Sequence, residues 1–218
     1  MKKAERGKSG IEELIGIMAK LRSPEGCPWD REQTHRTLRF HAVEEVYELM
    51  DAIEAGDDQE MAEELGDLLL QVVFHCQLAR ERGAFDFDAV AKTISEKLIR
   101  RHPHVFGDSD AKTVDEVWAQ WDKIKKAEKA GTKQERPSVF DGIPKQLPAL
   151  LYAEKLAKKA RKVTLLEAAG KGGKLSREQV AQQLFALAAA AQGQGWSAEE
   201  LLRAEIKERE RVWRKREK

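Results

Sequence analysis

At 218 residues the chain is long enough for one good core, or for one domain and a small appendage. A formal net charge of +1 and a pI near 7.8 argue against a global bias toward polyanions, and no stable nucleic-acid binding is expected. Two cysteines, Cys27 and Cys76, make no disulfide framework and fit a reducing cytoplasm; Met1 to Arg6 lack the apolar run of a signal peptide, and no stretch reaches the length of a membrane span.

With 35% charged residues, few aromatics and six prolines, the composition favours helices. Ile11, Leu14, Ile15, Met18 and Leu21 predict an amphipathic helix that stops before Pro24. Residues 23 to 30 read as a turn-rich loop in which Trp29 is either a core plug or a stacking platform. His35 and His41 follow on the approach to the next helix.

Between Glu44 and Asp67 the chain carries eleven acidic side chains and no Lys or Arg. Val46, Leu49, Met50 and Ile53 recur at helical spacing before Gly56, and Met61, Leu65, Leu68, Leu69 and Val72 after it. Gly56 suits a helix end, and Asp57 with Glu60 suits the next start, which together predict an antiparallel hairpin. Glu48 and Glu64 each lie roughly 12 Å from that turn, and Glu45 and Asp67 come level one turn further out. Each pair shares a helix face, so four carboxylates are expected to meet across the hairpin. Facing carboxylates repel unless protonated or bridged by a cation. Oxygen donors alone favour a hard ion, Mg²⁺ first and Mn²⁺ or Ca²⁺ next, with the two histidines unneeded as ligands. The bland alternative is a pair of solvated acidic helix faces.

Gly83 closes this helix and Asp86 can cap the next, whose buried stripe is expected to be Phe87, Val90, Ala91, Ile94 and Leu98. Lys97 and Arg101 sit on one flank of it, suited to pairing with exposed acids or to holding phosphate oxygens. Thr113 to Glu116 form a capping box, and the helix it opens is expected to bury Val114, Val117, Trp118, Trp121 and Ile124. Gly131, Pro137, Gly142, Pro144 and Pro148 then break the periodicity. The expected organisation is a domain over residues 1–130, a linker over 131–148 and a helical C-terminal part over 149–218.

Glu44-Glu45-Val46-Tyr47-Glu48, followed by Glu64-Leu65-Gly66-Asp67, resembles the EExxE…ExxD signature of the MazG-type all-α nucleoside triphosphate pyrophosphohydrolases. Cys27-Pro28-Trp29-Asp30, Lys97 through His102-Pro103-His104-Val105-Phe106, and Glu116-Val117-Trp118 agree in the same order, so the likeness covers roughly residues 11 to 130. It implies an all-α helical bundle around the carboxylate hairpin, completed by pairing of subunits into a homodimer or higher oligomer. It further implies hydrolysis of nucleoside triphosphates to monophosphate and pyrophosphate, a house-cleaning of the nucleotide pool. Glu45, Glu48, Glu64 and Asp67 would hold Mg²⁺ or Mn²⁺, and Glu44 would act as general base or support it. Lys97 and Arg101 would bind the triphosphate, with Trp118 and Trp29 as nucleotide contacts.

The family also contains tandem members, and residues 149–218 are too few for a second copy. Glu178-Gln179-Val180-Ala181-Gln182-Gln183-Leu184-Phe185 resembles a decayed EELGDLLF in which Gln179 and Gln182 replace the acids, so no second metal site is expected. Leu201 to Lys218 reads as a charged helix of weak apolar spacing that extends into solvent or along a partner. Two other functions stay open: a non-catalytic, cation-binding helical adaptor, and a pyrophosphohydrolase acting on phosphoribosyl-ATP-like or modified nucleotides.

Overall fold

A computed structural model describes residues 9–133, 135–166 and 175–217. The N-terminal stretch Met1 to Arg6, Gln134 of the expected linker and Lys218 lie outside them. Among the described residues the chain is all-α. Its helices are α1 (Gly10–Leu21), α2 (Pro28–Glu32), α3 (His41–Ala55), α4 (Asp58–Glu81), α5 (Phe87–Arg101), α6 (Pro103–Phe106), α7 (Val114–Ala127), α8 (Ala149–Lys162), α9 (Arg177–Gly193) and α10 (Ala198–Arg216). No helix among these residues is long and apolar enough to cross a membrane.

Local chemistry sets the helix ends. Ser9 and Glu12 form a reciprocal capping box at α1. Gly56 closes α3 in the left-handed region at φ 70°, where a side chain is disfavoured, and Asp57 then caps α4 by accepting from Gln59 N and Glu60 N. Asp86 caps α5 through Ala89 N, and the Thr113–Glu116 box opens α7.

The chain divides into two compact units after Trp121, within α7. In the first unit, α3 and α4 form the antiparallel hairpin, and α1 and α5 pack on α4. Met18, Leu38, Val73 and Phe74 make its buried core, with Leu14, Leu70 and Phe87 packed around them. The loop between α1 and α2 is tied down by Arg22. Its guanidinium forms a paired contact with Glu81 (Nε–Oε1 and Nη2–Oε2, both 2.7 Å), donates to the Asp30 carbonyl and lies 5.6 Å from the Phe74 ring centroid. A side chain at Gly26 would run into the Leu21 carbonyl, so the loop needs glycine there.

The second unit packs α10 against α8 and α9. Phe140, Ile143, Ala149, Leu156, Ala160, Ile206 and Trp213 form its core, and the Phe140 and Trp213 rings stack at 6.0 Å. The segment 131–148, expected as a linker, thus puts Phe140 and Ile143 into a core. Its irregular backbone is held by side chains rather than by helical bonds: Asp141 accepts from Ser138 N and pairs with Arg214, and Lys159 donates to the Val139 and Asp141 carbonyls. Likewise α10 does not run free into solvent, because Ile206 and Trp213 bury one stripe of it against α8.

The stripes expected to be buried on α5 and α7 are largely open in the single chain. Neither helix has a fully buried residue, and Ile94 (41%), Leu98 (47%), Val114 (72%) and Trp118 (53%) stand exposed. The same holds along the hairpin, where Val46, Met50, Ile53, Leu65 and Leu69 are exposed. Helical periodicity marks an apolar face correctly here, but among the described residues of one chain that face stays open.

Candidate metal centre

Glu45 and Glu48 stand one turn apart on α3, and Glu64 and Asp67 one turn apart on α4. The hairpin brings Glu45, Glu48 and Glu64 to one point, each offering a carboxylate oxygen within 4.8 Å of the others. Asp67, half-buried, stands close enough for its charge to act on both Glu45 and Glu64. Among the described residues no Lys or Arg ion-pairs with these four acids.

Two of these acids, Glu45 and Glu64, are held above the usual carboxylate range. Partial desolvation, then the charge of Asp67, pushes Glu45 above the usual carboxylate range; Glu48 adds to this, and a hydrogen bond from Gln71 opposes it. Partial desolvation, then the charges of Glu48 and Asp67, pushes Glu64 up as well. Such a cluster of hard oxygen donors with unbalanced negative charge fits a hard divalent cation.

Gln71 completes the picture and was not singled out from the sequence. Its amide nitrogen donates to Glu45 Oε1 at 3.3 Å, while its own Oε1 is buried without a hydrogen-bond partner. It follows Asp67 by four residues and so continues the Glu64–Asp67 face of α4, a spacing that offered the signal. A neighbour of this kind fixes the orientation of a carboxylate that would otherwise be free to rotate.

The remaining candidates lie around the hairpin. Glu44 is exposed and turned toward His41, with Oε2 3.7 Å from Nδ1, rather than into the carboxylate trio. His35 stacks on His75, with ring centroids 5.0 Å apart and the Nδ1 atoms 2.8 Å apart, so neither His35 nor His41 belongs to the acid cluster. Burial and the neighbouring His35 hold His75 below the ordinary histidine value. Trp29, 53% exposed on α2, sets its ring 6.2 Å from that of His41 at the start of α3. Trp118, equally exposed, meets Trp121 edge-on at 5.5 Å, and Trp121 in turn lies 5.6 Å from His102. Lys97 and Arg101 are half-buried on α5. Arg101 and Asp67 each lie about four turns from the α4–α5 connection, which sets them at similar heights along the paired helices.

Comparison with known proteins agrees with this geometry. A family model for the MazG nucleotide pyrophosphohydrolase domain matches residues 33–106, a span that contains the four acids, Gln71, Lys97 and Arg101. The chain is 52% identical over 153 residues to the nucleoside triphosphate pyrophosphohydrolase/pyrophosphatase MazG of Thermotoga maritima, covering 70% of this chain and 57% of that protein. It is 50% identical over 154 residues to the nucleoside triphosphate pyrophosphohydrolase of Escherichia coli K12, covering 70% of this chain and 58% of that protein. The chain therefore spans a little over half the length of these curated relatives. An uncharacterized 26.1 kDa protein of Streptomyces cacaoi is 43% identical over 197 residues, covering 88% of this chain and 76% of that one. The acid signature, the all-α hairpin that presents it and these relatives lead to one conclusion: residues 33–106 form a domain of the MazG nucleotide pyrophosphohydrolase family.

Proposed function

We propose that this chain hydrolyses nucleoside triphosphates to a nucleoside monophosphate and pyrophosphate, with Mg²⁺ or alternatively Mn²⁺ at the carboxylate cluster. The observation that carries the reading is the convergence of Glu45, Glu48 and Glu64 within 4.8 Å, with Asp67 beside them and no basic partner among the described residues. A divalent cation at these oxygens supplies positive charge against the charge that builds on the phosphate chain.

The protein's own groups then have separate tasks. Gln71 holds the Glu45 carboxylate in one orientation. Glu44, exposed and beside His41, is the group proposed to take the proton from the attacking water. Lys97 and Arg101 on α5 would meet the pyrophosphate leaving group, Arg101 as a fork and Lys97 as a point charge. The exposed faces of Trp29 and Trp118 would receive the base. A second copy of the chain is the proposed cover for the open apolar stripes of α3, α4, α5 and α7, giving at least a homodimer. A cytoplasmic location accords with two free cysteines.

The test is product analysis by chromatography from a panel of ribo- and deoxynucleoside triphosphates, with Mg²⁺ and with EDTA, beside Glu48→Ala. Monophosphate and pyrophosphate formed only with the cation, and absent in the variant, support the reading. A folded protein that binds the cation yet turns over no nucleotide of the panel defeats it and favours a cation-binding adaptor.

A further inference from the structure

Charge is unevenly divided along the chain: acidic side chains predominate up to Trp121, and Lys and Arg predominate from Asp122 onward. Part of that basic excess converges on a cavity of about 400 Å³ in the second unit, within the roughly 300–1,000 Å³ range of small-molecule sites. One wall is α10, which presents Arg203, Lys207, Arg211 and Arg214 on successive turns of one face. The opposite wall carries Lys145 and Tyr152, and Ile206 supplies an apolar floor.

The cations fall into two groups. Arg211 and Arg214 are held by acids of their own helix, Arg211 by Glu208 at 2.5 Å and Arg214 by Glu210 at 2.7 Å. Arg203 is held by Glu199 at 2.5 Å and donates to the Lys145 carbonyl at 3.0 Å, which fixes the backbone that carries Lys145. Lys145 and Lys207 themselves form no ion pair among the described residues. The one acid lining the cavity among the described residues, Glu210, is already engaged by Arg214 and by the Tyr152 hydroxyl at 2.8 Å. Two unneutralised ammonium groups thus share a concave space with a planar phenol ring and an apolar floor.

We propose that this cavity is a binding site for a phosphorylated small molecule of mononucleotide size. Its phosphate oxygens would sit between Lys145 and Lys207, and its planar body against Tyr152 and Ile206. Ammonium groups without partners suit phosphate as mobile donors, while the acid-tethered arginines keep the rim rigid. The concave shape favours a small ligand over a nucleic-acid strand, which needs cations spread along an open track. The site belongs to the unit that does not hold the carboxylate cluster, so it does not depend on the proposed hydrolysis.

The experiment is isothermal titration calorimetry of the full chain with AMP, in EDTA so that no divalent cation serves the carboxylate cluster. The expected result is one AMP per chain, with affinity falling about tenfold or more in Lys145→Ala/Lys207→Ala, the loss of at least one charge-assisted hydrogen bond. Both lysines are exposed, so the thermal unfolding of the double variant should match the parent. Glu48→Ala should bind AMP as the parent does. No AMP binding, binding unchanged in the double variant, or binding lost in Glu48→Ala would each overturn the proposal. Displacement of AMP by a short single-stranded RNA that itself depends on Lys145 and Lys207 would also overturn it, by making the surface a nucleic-acid contact.

Discussion

Removing the Glu81 carboxylate should loosen the first unit through the loop that joins α1 to α2. The Arg22 side chain is only 8% exposed, and Glu81, at 36%, is its one acidic partner among the described residues. Glu81→Ala leaves a mostly buried guanidinium with the Asp30 carbonyl and the Phe74 ring as company. Hydrogen bonds to charged groups contribute about 1.5–3 kcal/mol; discounting for the solvent around Glu81, the net loss should be about 2 kcal/mol. For a unit of this size that lowers the melting temperature by roughly 5–10 °C. The effect should also depend on pH in a set direction. The hydrogen bond from Arg22, outweighing desolvation and aided by Gln77, holds Glu81 below the usual value of 4.5. The folded state therefore binds fewer protons at Glu81 than the unfolded chain. The stabilisation is fully present above about 4.5 and is lost as pH falls through the lower folded value. Calorimetric melts of the parent, Arg22→Ala, Glu81→Ala and the double variant, at neutral pH and near pH 3, measure the coupling directly. Melting of Glu81→Ala within about a degree of the parent at neutral pH, or a difference that survives acid unchanged, would refute the reasoning.

Gln71→Met should keep the fold, because the side chain is replaced at similar volume. It should nevertheless cost about 10–100-fold in cation-dependent activity by freeing the Glu45 carboxylate; a cation titration of the rate measures this, and an unchanged titration would show that Gln71 only fills space. Burial and His35 depress His75, so the unfolded chain binds more protons there than the folded one. Stability of the first unit should decline as pH falls through 6.5, and His75→Asn should flatten that decline in urea titrations followed by circular dichroism.

The hairpin was legible because its signals are local. Gly56 and Asp57 announce the turn, and counting residues outward from them is enough to set Glu48 level with Glu64 and Glu45 level with Asp67. Gln71 lay on the same face but escaped notice because a neutral amide gives no charge signal. The Arg22–Glu81 contact could not be read, since it joins a loop to a helix end far along the chain and no spacing rule connects them. Phe140 and Ile143 are single apolar residues among Gly and Pro, without a period, so their burial depends on where the backbone is held rather than on pattern. The α10 stripe was obscured for a different reason: the charged side chains around Ile206 and Trp213 lower its mean hydropathy while their own stems cover the surface. On α5 and α7 the pattern identified the apolar face but could not say whether one chain or two would cover it.

The central claim is that Glu45, Glu48, Glu64 and Asp67 hold a divalent cation together. Paramagnetic resonance of free Mn²⁺ during titration with protein tests it without relying on turnover. The parent should remove Mn²⁺ from solution in saturable fashion, and Mg²⁺ should displace it. Glu48→Ala and Glu64→Ala should each leave the free signal almost undiminished while remaining folded. Equal Mn²⁺ uptake by the parent and both variants would contradict the account, because the cation would then be held somewhere other than across this hairpin.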